Sequence, residues 1–362
     1  MSSKRQATSG VNRNVREFHQ LSEVITKLKM PSLNPTKSLL IYDRKLLQVV
    51  PNFKNWAQQF QRQYPVTGGE TLKDIEALPN HMKKILNKAD GLSPKDMQIV
   101  SVGGGSVGDF SGFVASLFKR GVSLVHIPST WLSAIDSAHG GKTAMNVGES
   151  KNQIGTYHHA CKVYLVKELL MGQPSSRARE GLGELVKMAL LTKSDWSKDL
   201  KKKKSSDKKI LWKYLKSAVS EKYRFIAADP FEEKGIRQFL NLGHTLGHIL
   251  EAHHGWAHGL CVGVGLRFAL EWSFHKKLLP QREYEEAQAI CESLIPTYLE
   301  LAGNSAKPLT RQQFFKLAVR DKKEATNKSL KFVFLQKVGE PILLKVNIED
   351  FYQRARNYGV VR

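Results

Sequence analysis

The segment Asn241-Leu242-Gly243-His244-Thr245-Leu246-Gly247-His248 sets two imidazoles four residues apart, and a third, His258, follows ten residues later. Residues four apart share one face of a helix, so His244 and His248 have the spacing of a two-histidine metal clamp. The glutamate that follows the first histidine in metallopeptidases is replaced by Thr245, which argues against peptide hydrolysis. Open zinc sites commonly take three protein ligands drawn from His and Glu and leave one position for a substrate oxygen. Glu184, within a helical pattern over Arg179–Leu190, is the candidate carboxylate to stand beside His244 and His258. A single histidine is more simply a hydrogen-bonded surface or core residue, and the pairs His158-His159 and His253-His254 are left at that reading.

A second constellation is Gly103-Gly104-Gly105-Ser106-Val107-Gly108-Asp109, placed after the apolar run Gln98–Val102 and before an apolar helix expected to start near Phe110. Gly103, Gly105 and Gly108 spell G-x-G-x-x-G between strand and helix, where backbone N–H groups can approach a pyrophosphate. The motif comes late in the chain, and no acid lies about twenty residues on, as the simple dinucleotide pattern has it. It reads as a non-standard nucleotide domain, with a ligand-free tight turn as the alternative.

Near these motifs the polar residues are mostly donors: Lys142 and Lys151-Asn152 in the first half, Lys187, Lys222, Arg237 and Asn241 in the second. Ammonium and guanidinium groups neutralise phosphate and carboxylate oxygens, so beside a metal such a set would hold a polyanionic, hydroxylated substrate. Any one lysine in so basic a chain is more simply an exposed residue. Their co-occurrence carries the reading.

The elements that must position these groups divide in two. From about residue 37 to 170, short β-branched runs (Ser38–Tyr42, Gln98–Val102, Ser123–Ile127, Val163–Val166) alternate with helical stretches such as Asp109–Lys119, which is the pattern of parallel strands with crossover helices. Beyond residue 175, helical periodicity dominates over Ser176–Leu191, Ile210–Ala227, Leu242–Ala252, Val262–His275, Arg282–Leu301 and Arg311–Val319, and only Lys331–Gln336 and Ile342–Val346 read as strands. The expected organisation is a Rossmann-like α/β domain over 1–174, with 1–36 partly flexible, and a mainly helical metal and substrate domain over 175–362.

With 362 residues, 41% of them hydrophobic, the chain is too long for a mini-protein and too apolar for a disordered one. It has no apolar run of the roughly 18 residues that a membrane-spanning helix needs. A polar start without a secretory stretch and three scattered cysteines point to a reducing cytoplasm. The formal charge of +23 is densest in Lys193–Lys222, where eleven lysines face four acids and Trp212 and Tyr214 are interleaved. A nucleic-acid surface and a solvated lysine-rich helix face both fit that segment, and the second is the more ordinary.

Taken together, these residues resemble the 3-dehydroquinate synthases, a family of sugar-phosphate cyclases. The resemblance runs through Gly69–Lys73, Gly103–Asp109, Lys119–Val122, Pro128–Asn146, Lys151–Gly155, Gly183–Lys187, Leu240–His248, His258-Gly259 and Asp321-Lys322-Lys323, and covers about residues 38–346. It implies Glu184, His244 and His258 as ligands of a divalent metal, zinc or cobalt. It implies NAD on Gly105, Ser106, Val107, Gly108 and Asp109, with Glu70, Lys73, Ser129 and Thr130 around it and Asp136, Lys142 and Lys151 at its junction with substrate. Lys142, Asn152, Asn241 and His248 match positions that handle a phosphate, while Arg237 and Lys322 or Lys323 match those that hold a carboxylate. Lys187 and Lys222 match contacts to ring hydroxyls, and Arg120 matches an arginine lent across a homodimer interface.

The family reaction converts 3-deoxy-D-arabino-heptulosonate 7-phosphate to 3-dehydroquinate and phosphate, on the shikimate route to aromatic amino acids. Transient oxidation by NAD+ acidifies a C–H bond, phosphate is eliminated, hydride returns, and the opened ring closes by an aldol addition. The chain departs from the family pattern at Ala138-His139, where Ser-Val is usual, at Trp131 for a leucine, and at Leu260 for an acid. A cyclase of another sugar phosphate, a metal-dependent polyol or glycerol dehydrogenase, and a basic nucleic-acid-binding protein are the alternatives.

Overall fold

The computed structural model describes residues 14–26, 33–201, 207–303, 307–321 and 329–362. The chain divides into two compact units, Met1–Arg177 and Ala178–Arg362.

Six strands in the first unit form one sheet, the central ones from apolar runs: β1 (Val15–Phe18), β2 (Ser38–Asp43), β3 (Arg62–Val66), β4 (Gln98–Gly103), β5 (Ser123–Pro128) and β8 (Lys162–Val166). Their order is β1-β8-β5-β4-β2-β3, and every pair is parallel. Side chains of a strand alternate between faces, so apolar residues at every position require cover on both sides. Leu40, Val100, Val125 and Tyr164 accordingly enter one core with Phe53 and Trp56, while Leu39, Ile99 and Leu124 enter another with Phe110 and Phe113 of the helix that follows β4.

That helix, α1 (Gly105–Leu117), starts five residues before the expected Phe110, with Gly104 as its N-cap. The turn into it needs glycine because the space is taken: a Cβ on Gly103, the last residue of β4, would lie 2.5 Å from Val107 Cβ. Among the strands, β1, β3 and the antiparallel hairpin of β6 (Lys142–Val147) and β7 (Ser150–Tyr157), whose second strand is mostly exposed and polar, escape the periodicity reading. Gly148 of the hairpin, at φ +53°, makes the two-residue turn.

The second unit is built on helices α2 (Ser175–Leu191), α3 (Asp207–Ala228), α4 (His244–His254), α5 (His258–His275), α6 (Gln281–Leu294), α7 (Arg311–Asp321) and α8 (Ile348–Asn357). One antiparallel pair, β9 (Ser329–Lys337) and β10 (Glu340–Asn347), packs Phe332 and Phe334 against Trp272 of α5. The helix expected over Arg282–Leu301 is interrupted, because Pro296 cannot donate to the ladder and pushes Ile295 to extended geometry. A new helix begins after Thr297, whose side chain and Glu300 form a capping box. No described helix is long and apolar enough to cross a membrane.

Candidate active site

In the first unit the site lies at the carboxyl ends of the strands. The chain leaves β2 toward β3 on one side and β4 toward β5 on the other, so the order reverses between β2 and β4. Such a switch point is where open parallel sheets bind ligands. The glycine turn follows β4 there, and Ser129-Thr130 follows β5, with the Ser129 N–H donating to the Gly103 carbonyl at 2.8 Å. A Cβ on Gly104 would come within 3.2 Å of Thr130 Cγ2, and one on Gly105 within 3.2 Å of Ser137 Oγ. A 13-residue helix thus starts on side-chain-free, half-buried backbone packed between two hydroxyl-bearing turns.

The polar residues singled out in this unit meet around that turn. Ser106 Oγ accepts from the Gly69 N–H at 2.9 Å. The nearly buried Lys73 donates to Asp109 Oδ2 at 2.6 Å and to Asn152 Oδ1 at 2.5 Å. Asn146 joins Glu70 Oε2 at 2.9 Å to the Asn152 N–H, also at 2.9 Å, so the hairpin is tied to the Glu70–Lys73 turn. Burial raises the Asp109 carboxyl above its ordinary range, and the Lys73 ammonium opposes the rise. Asn152 holds φ +55°, the left-handed region that asparagine tolerates. Lys142 and Lys151 stand on the exposed hairpin strands, and Asp136 sits in a single π turn, Ser133–Ser137.

Arg120 does not join this group. It lies past the far end of α1, roughly 20 Å along the helix axis from the glycine turn. Lys119 and Arg120, at φ +48° and +67°, make a tight left-handed turn with Gly121.

Of the departures from the family pattern, Trp131, Ala138 and His139 are buried and Leu260 is half-buried. Trp131 is fully enclosed, and His139, 4% exposed, donates Nε2–H to the Ala134 carbonyl at 2.8 Å, bracing the π turn that carries Asp136. Asp43 escaped the motif search because it is one strand removed. It closes β2, whose register sets Tyr42 beside Val102, so an acid does stand at the neighbouring strand end that the spacing rule searched for downstream.

In the second unit, α2, α4 and α5 bring the metal-type donors together. Their backbones touch: a Cβ on Gly183 would lie 2.1 Å from the Gly259 carbonyl oxygen, and one on Gly259 would lie 1.8 Å from that of Glu180. Glu184 and His258, each next to one of these glycines, are thereby drawn close. Glu184 Oε1 is 3.4 Å from His244 Nε2 and 3.9 Å from His258 Nε2. His244, His248 and His258 each bring one ring nitrogen within 4.8 Å of the others.

The other nitrogens of two of these rings are fixed. His244 Nδ1–H donates to the Leu242 carbonyl at 3.2 Å, and His258 Nδ1–H donates to Glu251 Oε2 at 2.8 Å, so both Nε2 lone pairs face Glu184. Burial and the Lys187 ammonium hold His244 down to about 4, the neutral form a ligand needs. Lys187, one turn after Glu184 and 2% exposed, pairs with Glu184 Oε2 at 2.5 Å.

Lys222 of α3 and Arg237 are each 5% exposed, and Asn241 ends the turn Ile236–Asn241 that packs on α3. Asp229 organises the approach to Arg237, accepting from the Lys234 N–H at 3.1 Å and the Arg237 N–H at 3.2 Å. Burial alone would raise its carboxyl, but backbone donors hold it below the ordinary range. Arg237 Nη1 donates to the Pro230 carbonyl at 2.8 Å. Lys322 and Lys323 lie outside the described residues. Glu251 and Asp229 had no motif to betray them.

Comparison with known proteins identifies the family. A family model for the 3-dehydroquinate synthase N-terminal region matches residues 63–180, and one for the C-terminal region matches residues 181–324. A 3-dehydroquinate synthase of Coxiella burnetii is 33% identical over 282 residues, 76% of each chain, and one of Francisella tularensis subsp. holarctica is 28% identical over 348 residues, 94% of this chain and 93% of its own. Among solved structures, a 2-deoxy-scyllo-inosose synthase with carbaglucose-6-phosphate, NAD+ and Co2+ superposes with a TM-score of 0.80 at 22% identity, covering 95% of this chain and 96% of that one. A 2-epi-5-epi-valiolone synthase of Streptomyces hygroscopicus subsp. jinggangensis with NAD+ and Zn2+ gives 0.76 at 19% identity, covering 96% of both. An iron-containing alcohol dehydrogenase gives only 0.60 at 16% identity, covering 95% and 96%. The chain belongs to the 3-dehydroquinate synthase family.

Proposed function

We propose that this chain converts 3-deoxy-D-arabino-heptulosonate 7-phosphate to 3-dehydroquinate and phosphate as an NAD- and metal-dependent carbon–oxygen lyase. The observation that carries the proposal is the convergence of Glu184, His244 and His258 on three touching helices, in a chain whose other unit has a glycine turn at a sheet switch point. The donor set suits zinc or cobalt: two imidazoles with Nδ1 already engaged, and a carboxylate. The glycine turn suits NAD, because Gly104 and Gly105 put side-chain-free backbone at the N-terminus of α1, where N–H groups can approach a pyrophosphate. When bound, the metal polarises a substrate alcohol and NAD+ accepts and returns a hydride, so no net oxidation results.

The protein's own task is positioning. Gly105, Ser106, Val107 and Gly108 present the helix N-terminus to a pyrophosphate, Asp43 stands where a ribose hydroxyl is read, and Glu70, Lys73, Asp109, Ser129 and Thr130 surround them. The family resemblance assigns the phosphate to Lys142 and Asn152 of the first unit and to Asn241 and His248 of the second, and the carboxylate to Arg237 with Lys322. Lys187 and Lys222 are buried cations that read ring hydroxyls. Asp136 and Lys151 sit at the cofactor–substrate junction. Substrate phosphate serves as its own base for the elimination, so the cations act by fixing the conformer.

We further place the protein in the cytoplasm as a homodimer without a nucleic-acid partner. Arg120, a helix length from the glycine turn of its own chain, reaches substrate only in a second copy. The free cysteines suit a reducing compartment. In the basic segment Lys201 pairs with Glu286 at 3.1 Å, Lys213 lies over the Tyr214 ring, and Tyr214 is buried on Trp196, all of which favour a solvated helix face over a base-stacking surface.

A second reading, cyclisation of a sugar phosphate without a carboxylate, has the structural neighbours in its favour and the buried Arg237 against it. Metal-loaded protein with the heptulosonate phosphate and trace NAD+ should release phosphate and a carbocyclic product while NADH absorbance stays flat. Rising NADH would indicate a polyol dehydrogenase, and turnover of glucose 6-phosphate alone would indicate the other cyclase class.

A further inference from the structure

The carboxylate of Glu251 belongs to none of the groups assigned above. It projects from the last turn of α4, seven residues before His258, and accepts the His258 Nδ1–H at 2.8 Å. The two residues are separated by the α4–α5 turn, where Gly255 at φ +68° reverses the chain. This is a connection between the end of one helix and the start of the next, made at the one ring nitrogen of His258 that faces away from Glu184. The His258 Nε2 is the nitrogen 3.9 Å from Glu184 Oε1.

We propose that Glu251 is a positioning residue for the metal centre, a proposal that rests on the metal-binding reading given above. A neutral imidazole has one N–H and one lone pair, and either nitrogen can carry either. An ionised carboxylate accepts but cannot donate, so Glu251 fixes the proton on Nδ1 and leaves the lone pair on Nε2. It also fixes ring rotation and, being negative, makes Nε2 a stronger donor to a cation. His244 receives the same service from the neutral Leu242 carbonyl, 3.2 Å away. The two ligands therefore differ: one is oriented by backbone and the other by a charge.

Loss of such an outer carboxylate typically weakens metal binding ten- to a hundred-fold. Glu251 is a quarter exposed, so truncation exposes its neighbours to water and leaves no sealed cavity. The test is zinc affinity of the full-length protein by competition with a chromophoric chelator, for wild type, Glu251→Ala and Glu251→Gln, with the thermal melt of each metal-free protein measured alongside. The expected result is at least ten-fold weaker binding for Glu251→Ala, an intermediate loss for Glu251→Gln, whose amide oxygen still accepts, and metal-free melts close to wild type. Wild-type affinity in both variants would overturn the proposal, as would a weakened affinity accompanied by an equal fall of the metal-free melt. If wild type itself binds no zinc, the metal-binding reading fails, and the proposal fails with it for a separate and visible reason.

Discussion

Replacing Gly183 by alanine tests the claim that backbone contact between α2 and α5 creates the metal centre. The new Cβ would sit 2.1 Å from the Gly259 carbonyl oxygen and 3.0 Å from its carbon, whereas ordinary contact begins at 3.4 Å. The obstacle is backbone in both cases, so no side chain can swing aside. The helices must part by about 1.3 Å to restore ordinary contact. Two effects oppose each other. Alanine in a helix interior is better than glycine by about 0.8–1 kcal/mol. Overpacking a tight contact costs about 1–3 kcal/mol, occasionally more.

The second wins, since the clash is deep and falls on rigid atoms, and the expected net loss is about 1–2 kcal/mol, or roughly 2–8 °C in melting temperature. The effect on the site is larger. Metal–ligand distances tolerate only about 0.2 Å, and a separation of this size between Glu184 and His258 exceeds that several-fold. Zinc affinity by chelator competition should fall at least a hundred-fold while far-ultraviolet circular dichroism stays native. A Gly183→Ala protein with wild-type affinity and melting temperature would refute the reasoning.

Three further outcomes follow from the same geometry. Glu184 and His248 are rival third ligands to His244 and His258: Glu184→Gln should lose zinc in a direct titration, and His248→Asn should keep zinc but lose turnover, whereas the reverse order would assign three imidazoles as the ligand set. Lys187→Met leaves the Glu184 carboxylate buried without its cation, so the metal-free protein should lose about 3–5 kcal/mol in urea unfolding and regain part of it when zinc supplies the missing charge; equal loss with and without zinc would speak against a shared carboxylate. His126, buried beside α1 and held down to about 4 by burial, refuses a proton that the unfolded chain accepts below about 6.5. Folded stability is therefore full above pH 6.5 and falls as pH drops toward 4, by at most about 3 kcal/mol. His126→Phe should flatten that part of the urea-unfolding profile, and parallel profiles would contradict it.

The fold was legible where burial imposed a period. β2, β4 and β5 carry apolar residues on both faces through their centres (Leu39–Tyr42, Ile99-Val100 with Val102, Leu124-Val125 with Ile127) because both sheet faces are covered, and all three are legible in the sequence pattern. β1, β3 and the β6–β7 hairpin carry no such pattern: β1 is four residues with Arg16 and Glu17 exposed, β3 is short and interrupted by Pro65, and none of the eight β7 residues is fully buried, since their strand pairs on one side only. Helix starts were misjudged at glycine. Gly105 and Gly108 read as loop residues, yet they form the first turn of α1, where Gly105 packs so closely on Ser137 that an added Cβ would lie 3.2 Å from its Oγ. Gly243 reads as the interior of a helix, but at φ +79° it is the break that lets α4 begin at His244.

Legibility of the candidate site follows a related physical distinction. His244 and His248 announce themselves, because two site residues on one helix face must keep a helical spacing. Glu184 and His258 lie on different helices, and their proximity depends on the depth of helix contact, which the sequence records only as Gly183 and Gly259. Those glycines look like helix-weakening residues until the helices are seen to touch through them. Glu251 is less visible still, since a hydrogen bond to the rear of an imidazole needs no fixed spacing, only a carboxylate at a helix end and a turn of the right reach. A reader of sequence alone can list the donors of a metal centre from their types. The contacts that turn them toward one ion are written in small residues and turn geometry, and substituting those should abolish the site without altering a single ligand.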